Sequence, residues 1–254
     1  MRKMIGLVLV AAHMGLMSAP ARAAQANPLL SDPYQTCVRA INTNAEEAFE
    51  QALAWRDRGG GLLAERCAAM ALISLDEPGE AASRLDALAR RTDAGLLADR
   101  ASLLSQSGNA WLLADQPQNA EAAFSAALKL TPRDADIWVD RARARADRQN
   151  WPEAERDLNN ALTFDKTKPE TYVLRAAARR AQNNLAGYRT DIQAALTLDP
   201  KFPEALVERG SIKLAAGDKN GARADWIEVL VQAPTSPAAD AVRTRIEALE
   251  VRDP

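Results

Sequence analysis

Histidine is almost missing from this chain: His13 is the single one, and it stands near the start. Cysteine is confined to Cys37 and Cys67, aromatic residues are few, and β-branched runs are nearly absent. After Met17 no apolar run is long enough to span a bilayer. Each shortage removes a class. One histidine leaves little room for a Ser-His or Cys-His nucleophile, or for a histidine-based metal site. Sparse β-branched and aromatic residues, set against abundant alanine, point away from sheets and toward helix. Basic residues give no surplus either, because 32 Lys and Arg face 34 Asp and Glu. The Arg-dense stretch from Arg133 to Arg180 is matched locally by acids, so a phosphate-rich partner is not expected.

The first residues form a unit of their own. Arg2 and Lys3 make a short basic start, Ile5–Met17 is apolar apart from His13, and Ala21-Arg22-Ala23 fits the small-x-small cleavage rule. Residues 1–23 are therefore expected to be a secretory signal peptide, with an uncleaved anchor as the alternative. No cysteine lies near the cut, which argues against a lipid anchor. The mature chain is expected to be exported, periplasmic or secreted, with no membrane span. Cleavage removes His13 and lowers the 32 basic residues to 29, against 34 acidic ones. An exported chain with two cysteines usually pairs them, so a Cys37–Cys67 disulfide is expected, with two small buried thiols as the alternative.

What the chain does have is repetition. Asn44–Trp55 reads NAEEAFEQALAW and Asn119–Leu130 reads NAEAAFSAALKL, 75 residues apart. Underneath lies a period of 34, with frames starting at Ala101, Ala135, Pro169 and Pro203. Position 8 is small: Gly108, Ala142, Ala176 and Gly210. Position 24 is large: Phe124, Leu158, Ile192 and Trp226. Position 20 is Ala in three frames, and position 32 is Pro in three, where it ends a helix. Position 16 is Gln116, Asn150, Asn184 and Asp218, mostly residues able to cap a second helix. The 75-residue offset is two such periods plus Gly60, Gly61 and the five residues Leu96 to Arg100.

This pattern resembles the tetratricopeptide repeat, with Trp138 and Tyr172 at its first signature position and Trp111 at its fourth. The resemblance implies an all-α solenoid of helical hairpins. Clear repeats fall at 101–134, 135–168, 169–202 and 203–236, and degenerate ones at 26–59 and 62–95. A capping helix is expected over 237–250, with Ala241, Val242, Ile246 and Leu249 as its apolar side. The resemblance further implies a concave groove lined by the first helices, at positions 2, 5, 9, 12 and 13. Mapped onto this chain, Asn109, Asp136, Arg143, Asp147, Arg180 and Ser211 are the candidate partner-binding residues. Arg143 and Arg180, with no partner written into the repeat, are candidates to fork a carboxylate; local pairing on the helix surface is the alternative. The family's carboxylate clamp fits poorly, since only Asn109 matches and Asp140 and Glu170 stand where amide and Lys are needed.

Positions 7 and 23 carry a second pattern. Arg141 goes with Asp157, Arg175 with Asp191, and Arg209 with Asp225, whereas the frame with Ser107 has Ala123. Structural ion pairs within each hairpin are the expectation, preferred over a row of ligand-binding arginines. Gly59-Gly60-Gly61 lacks the Gly-Lys-Ser/Thr of a phosphate loop and reads as a turn. Trp151 is expected to pack across its turn rather than grip a partner. No catalytic constellation, cofactor or metal site emerges. The expected function is a non-enzymatic scaffold of the cell envelope, holding a protein or an extended peptide segment. A structural assembly subunit working through its convex face or its ends is the alternative, and an enzyme is the least favoured reading.

Overall fold

The computed structural model describes residues 32–91 and 93–251, so the signal-peptide expectation and the start of the first degenerate repeat lie outside the described residues. The described chain is all α: α1 (Asp32–Ile41), α2 (Ala45–Trp55), α3 (Gly61–Ser74), α4 (Pro78–Arg90), α5 (Leu97–Leu113), α6 (Pro117–Leu130), α7 (Ala135–Asp147), α8 (Trp151–Phe164), α9 (Pro169–Ala181), α10 (Leu185–Leu198), α11 (Pro203–Ala215), α12 (Lys219–Gln232) and α13 (Pro237–Val251). Each helix packs on the one before it. First helices of successive hairpins also touch, α1 with α3, α5 with α7, α9 with α11 and α11 with α13. The result is a solenoid whose layers come from consecutive stretches of chain.

A repeated turn sets the hairpins. Asp76, Asp115, Gln149, Asn183 and Gly217 all have φ between 55° and 85°, and all sit one residue before a second helix's cap. In each, the next residue's N–H returns to the first helix: Glu77 to Leu72 O, Gln116 to Trp111 O, Asn150 to Arg145 O, Asn184 to Arg179 O, and Asp218 to Lys213 O, at 2.8–2.9 Å. This is a left-handed helix stop closed by a six-to-one bond, and Asp, Asn and Gly tolerate that backbone best. Capping at the following position is selective. Asn184 and Asp218 accept from the N–H of Gly187 and Gly221, while Gln116 and Asn150 make no side-chain cap. A Cβ on Gly187 or Gly221 would run into the capping side chain, so the two capped frames are those with glycine there.

The core lies between the two helices of each hairpin. Phe124, Leu158, Ile192 and Trp226 are at most 2% exposed. A Cβ on Gly108 would stand 2.5 Å from the Phe124 ring, and Gly210 meets the Trp226 indole in the same way. Glycine thus allows the close approach that a large partner at position 24 demands.

Most of the five residues Leu96 to Arg100 form the first turn of α5, which starts at Leu97 and runs 17 residues. The glycines make the kink between α2 and α3, with Gly59 at φ 94° and Gly61 at φ 54°, where a turn is expected. In α13 the buried residues are Ala238, Ala239 and Val242, with Ile246 and Leu249 packed beside them, whereas Ala241 is exposed. Val242, Ile246 and Leu249 keep the expected stripe, and Ala241 falls outside it where α13 docks on α11 and α12. Cys37 on α1 and Cys67 on α3 are joined by a disulfide, with their Cα atoms 6.4 Å apart.

Candidate functional site

Two sets of charges run along the solenoid. The inner set is structural. Arg141 forks Asp157 at 2.8 and 2.9 Å, Arg175 forks Asp191 at 2.6 and 3.0 Å, and Arg209 forks Asp225 at 2.7 and 2.9 Å. Each aspartate is buried and takes a second cation one turn further along the first helix: Arg145, Arg179 or Lys213, each at 2.9 Å. Arg145 and Arg179 also reach back to Glu121 and Glu155 of the preceding second helix, at 2.9 and 2.8 Å. The cluster therefore locks a hairpin and ties it to its neighbour. Burial alone would push the Asp225 carboxyl up, but hydrogen bonds from Arg209 and Lys213 hold it below the usual carboxylate range. Glu121 and Glu155 are likewise held down, against burial, by their arginine partners. The second cations stand at position 11 of their frames, where frame 101–134 has Trp111. They were missed in the sequence although the same period of 34 marks them. In frame 101–134, Ser107 Oγ instead donates to Ala82 O at 3.0 Å.

The outer set lies on the face formed by positions 2, 5, 9, 12 and 13. Here Arg143 and Arg180, candidates to fork a carboxylate with local pairing as the alternative, both have local partners. Arg143 binds Asp140 at 2.7 Å and Glu170 of the next frame at 2.5 Å. Asn109 Nδ2 donates to the same Asp140 at 3.4 Å. Burial pushes the Asp140 carboxyl above its ordinary value, with Arg143 and Asn109 opposing. Arg180 binds Glu208 at 3.3 Å and lies 5.7 Å from the centre of the Tyr188 ring. Tyr188 in turn donates to Glu208 at 2.6 Å, and burial raises its phenol pKa. Asp136 pairs with Lys168, and Ser211 Oγ donates to Val207 O at 2.9 Å. Asp147 is exposed at the end of α7. Asn109–Asp140, Arg143–Glu170 and Arg180–Glu208 join frame to frame, which a pattern written within one frame does not announce.

Two hollows open on this face. The smaller, about 160 Å³, is lined by Ala142, Ala146, Asp147, Trp151, Leu174 and Ala177 among others, between α7, α8 and α9. Trp151, half-buried at the start of α8, lines this cavity. The larger, about 490 Å³, lies two frames on, between α11, α12 and α13, and includes Ser211, Leu214 and Trp226. On another side, a cleft of about 530 Å³ opens between the second helices α4 and α6, with Leu104 and Trp111 of α5 inside it. Among the described residues no group of three or more His, Cys, Asp or Glu is placed to hold a metal, and no helix is long and apolar enough to cross a membrane.

No protein-family model and no curated protein sequence matches the chain. Solved structures do. PilF of Pseudomonas aeruginosa superposes with a TM-score of 0.63 at 14% identity, covering 84% of this chain and 96% of its own. A tetratricopeptide repeat protein from Parabacteroides merdae gives 0.61 at 18% identity, covering 90% and 88%. The fold is that of a tetratricopeptide repeat solenoid. MamA of Desulfovibrio magneticus RS-1, residues 41 to the end, gives 0.57 at 19% identity, covering 68% of this chain and 95% of that one. At these identities a tetratricopeptide fold, a stack of helical hairpins, is what the chains share.

Proposed function

We propose that this tetratricopeptide repeat chain is a non-enzymatic scaffold of the cell envelope whose concave groove holds an extended segment of a partner protein. The observation that carries this reading is the pair of hollows on the first-helix face, two frames apart and at equivalent positions. A chain running along the groove would drop side chains into both. Extended peptides read by evenly spaced pockets are a recurring recognition mode. The rest of the groove, with Asn109, Asp136, Arg143, Asp147, Arg180 and Ser211, supplies a polar rim. Export of the chain, after loss of residues 1–23, is part of the same proposal, and the Cys37–Cys67 pair suits an oxidising compartment. The division into repeats at 26–59, 62–95, 101–134, 135–168, 169–202 and 203–236, with a cap at 237–250, is retained as the working frame. The apolar cleft between α4 and α6 favours a second reading, an assembly subunit that docks through its second helices.

Ala177→Arg separates the two. Ala177 is exposed, lies at position 9 in the groove, and takes part in none of the ion pairs above. The variant is expected to melt within about 0.5 kcal/mol of the parent, since Arg is a good helix former. Affinity capture from the native envelope should lose the partner that the parent protein retains. Equal capture by both proteins would rule out the groove and move attention to the α4–α6 cleft.

A further inference from the structure

The repeat frame does not stop at residue 236. Counting on from Pro237 as position 1, Arg245 stands at position 9, the place of Asn109, Arg143, Ala177 and Ser211 in the four frames before it. Ala248 and Leu249 then stand at positions 12 and 13. α13 thus takes the place of a first helix, and it packs beside α11 as one first helix packs beside the next. Between them lies the 490 Å³ hollow. Ser211, Leu214 and Ala215 of α11 form one wall, Arg245, Ala248 and Leu249 of α13 form the other, and Lys219 and Trp226 of α12 complete the lining.

The two groove arginines singled out in the sequence are already engaged, Arg143 by Asp140 and Glu170, and Arg180 by Glu208. Arg245 differs. Its Nη1 is the one buried side-chain nitrogen or oxygen among the described residues with no hydrogen-bond partner. A guanidinium nitrogen withdrawn from water without an acceptor is unfavourable, and native proteins rarely keep one without a reason. A flexible arginine at the edge of a cavity supplies the reason, because a modest turn of its side chain brings that nitrogen to an incoming acceptor. The apolar walls would strengthen such a charged hydrogen bond and exclude water from it.

The walls also restrict the occupant. A phosphoryl group needs several converging donors; the apolar side chains of Leu214, Ala215, Ala248 and Leu249 offer none, Ser211 Oγ and Trp226 Nε1 both donate to Val207 O, and Lys219 already has a partner. A chain-end carboxylate would carry its own amide N–H against these same apolar side chains. An aspartate or glutamate side chain meets both conditions, with methylene against the walls and carboxylate on the guanidinium. We propose that this hollow is a specificity pocket of the groove, in which Arg245 receives the acidic side chain of an extended partner segment. The proposal rests on the groove being a peptide site.

The probe is a positional library of octapeptides, acetylated and amidated at their ends, scored by fluorescence anisotropy on the full chain. Peptides with Glu or Asp at one position are expected to bind on the order of tenfold or more better than their Gln or Asn counterparts. Arg245→Gln should erase that preference, and Arg245→Lys should keep part of it. Because Nη1 has no partner to lose, Arg245→Gln should not lower the melting temperature; Arg245→Met, similar in reach, serves if the Gln variant does not fold. An acid preference that survives both substitutions would overturn the pocket. So would a preference for unblocked, chain-end carboxylates lacking an internal acid, or a lower melting temperature with peptide choice unchanged. Peptides that bind, are blocked by Ala177→Arg and ignore Arg245 would remove the pocket and leave the groove. A library without any binder would overturn both.

Discussion

The frames beginning at Ala135, Pro169 and Pro203 each close around a buried aspartate held by two cations, while the hairpins before Ala135 contain no such cluster. The earlier hairpins rely on close-packed alanines, on Ser107 donating to Ala82, and on the Cys37–Cys67 bond. One fold is thus secured in two ways. An ion cluster fixes the angle and register of a hairpin by geometry, and it adds less net stability than its short distances suggest, since burying the charges is costly. A disulfide leaves packing alone and limits the unfolded chain. The two halves should therefore fail under different conditions.

The largest expected effect comes from removing a clustered aspartate. Asp191→Ala leaves Arg175 without a carboxylate and Arg179 with Glu155 alone, each arginine less than a fifth exposed, and is expected to cost about 3–5 kcal/mol in urea unfolding. Replacing Arg175 and Asp191 together should cost less than the sum of the single changes. Strict additivity would mean that the fork does not couple them. Hydrogen exchange should localise the damage to α9, α10 and their neighbours, because a solenoid passes strain mainly between adjacent repeats.

Breaking the disulfide comes next. The bond spans 30 residues, and replacing both Cys37 and Cys67 with Ser should cost about 3–4 kcal/mol in the chain-entropy account. Exchange should then quicken in α1–α3 while α7–α12 keep their protection. Uniform loss along the whole array would show that the two halves are one cooperative unit.

Acid should produce the smallest and most selective effect. Asp225, Glu121 and Glu155 have folded pKa values held below their ordinary ones. Their stabilisation is complete above the unfolded carboxylate pKa of roughly 4 and is lost as pH falls through the folded values. Asp140 has the opposite sign, since burial raises its pKa; acidification relieves a cost there. Below about pH 4, exchange should therefore rise first in the ion-paired frames and later in the disulfide-held ones. Equal acid sensitivity at both ends would remove the distinction.

The sequence reveals features that recur within a frame and hides those that join frames. Helix starts at Ala135, Pro169, Pro203 and Pro237 are legible because a 34-residue period, Pro and small–large pairs mark them. Positions 7 and 23 are legible as a covarying Arg and Asp, and the atoms do meet. Arg145, Arg179 and Lys213 were equally periodic, yet a pattern already satisfied by one arginine gives no cue that aspartate takes two. Glu170 and Glu208 stand in the frame after the arginines they bind, so pairing them needs the superhelical offset between layers, which no alignment of frames contains. Arg245 escaped because α13 read as a cap and not as the next first helix. Leu97 escaped because nothing in the period says whether an insertion coils out or lengthens a helix.

The disulfide has a mechanical consequence. Cys37 and Cys67, 30 positions apart, close off the segment between them from any pull applied at the two ends of the chain. At 3.3–3.6 Å per extended residue, roughly 100 Å of contour cannot be drawn out while the bond stands. Each full frame beyond it would release 34 residues, roughly 110–120 Å, as it yields. Under tension the molecule becomes a ruler with even graduations over most of its length and an inextensible stop at one end.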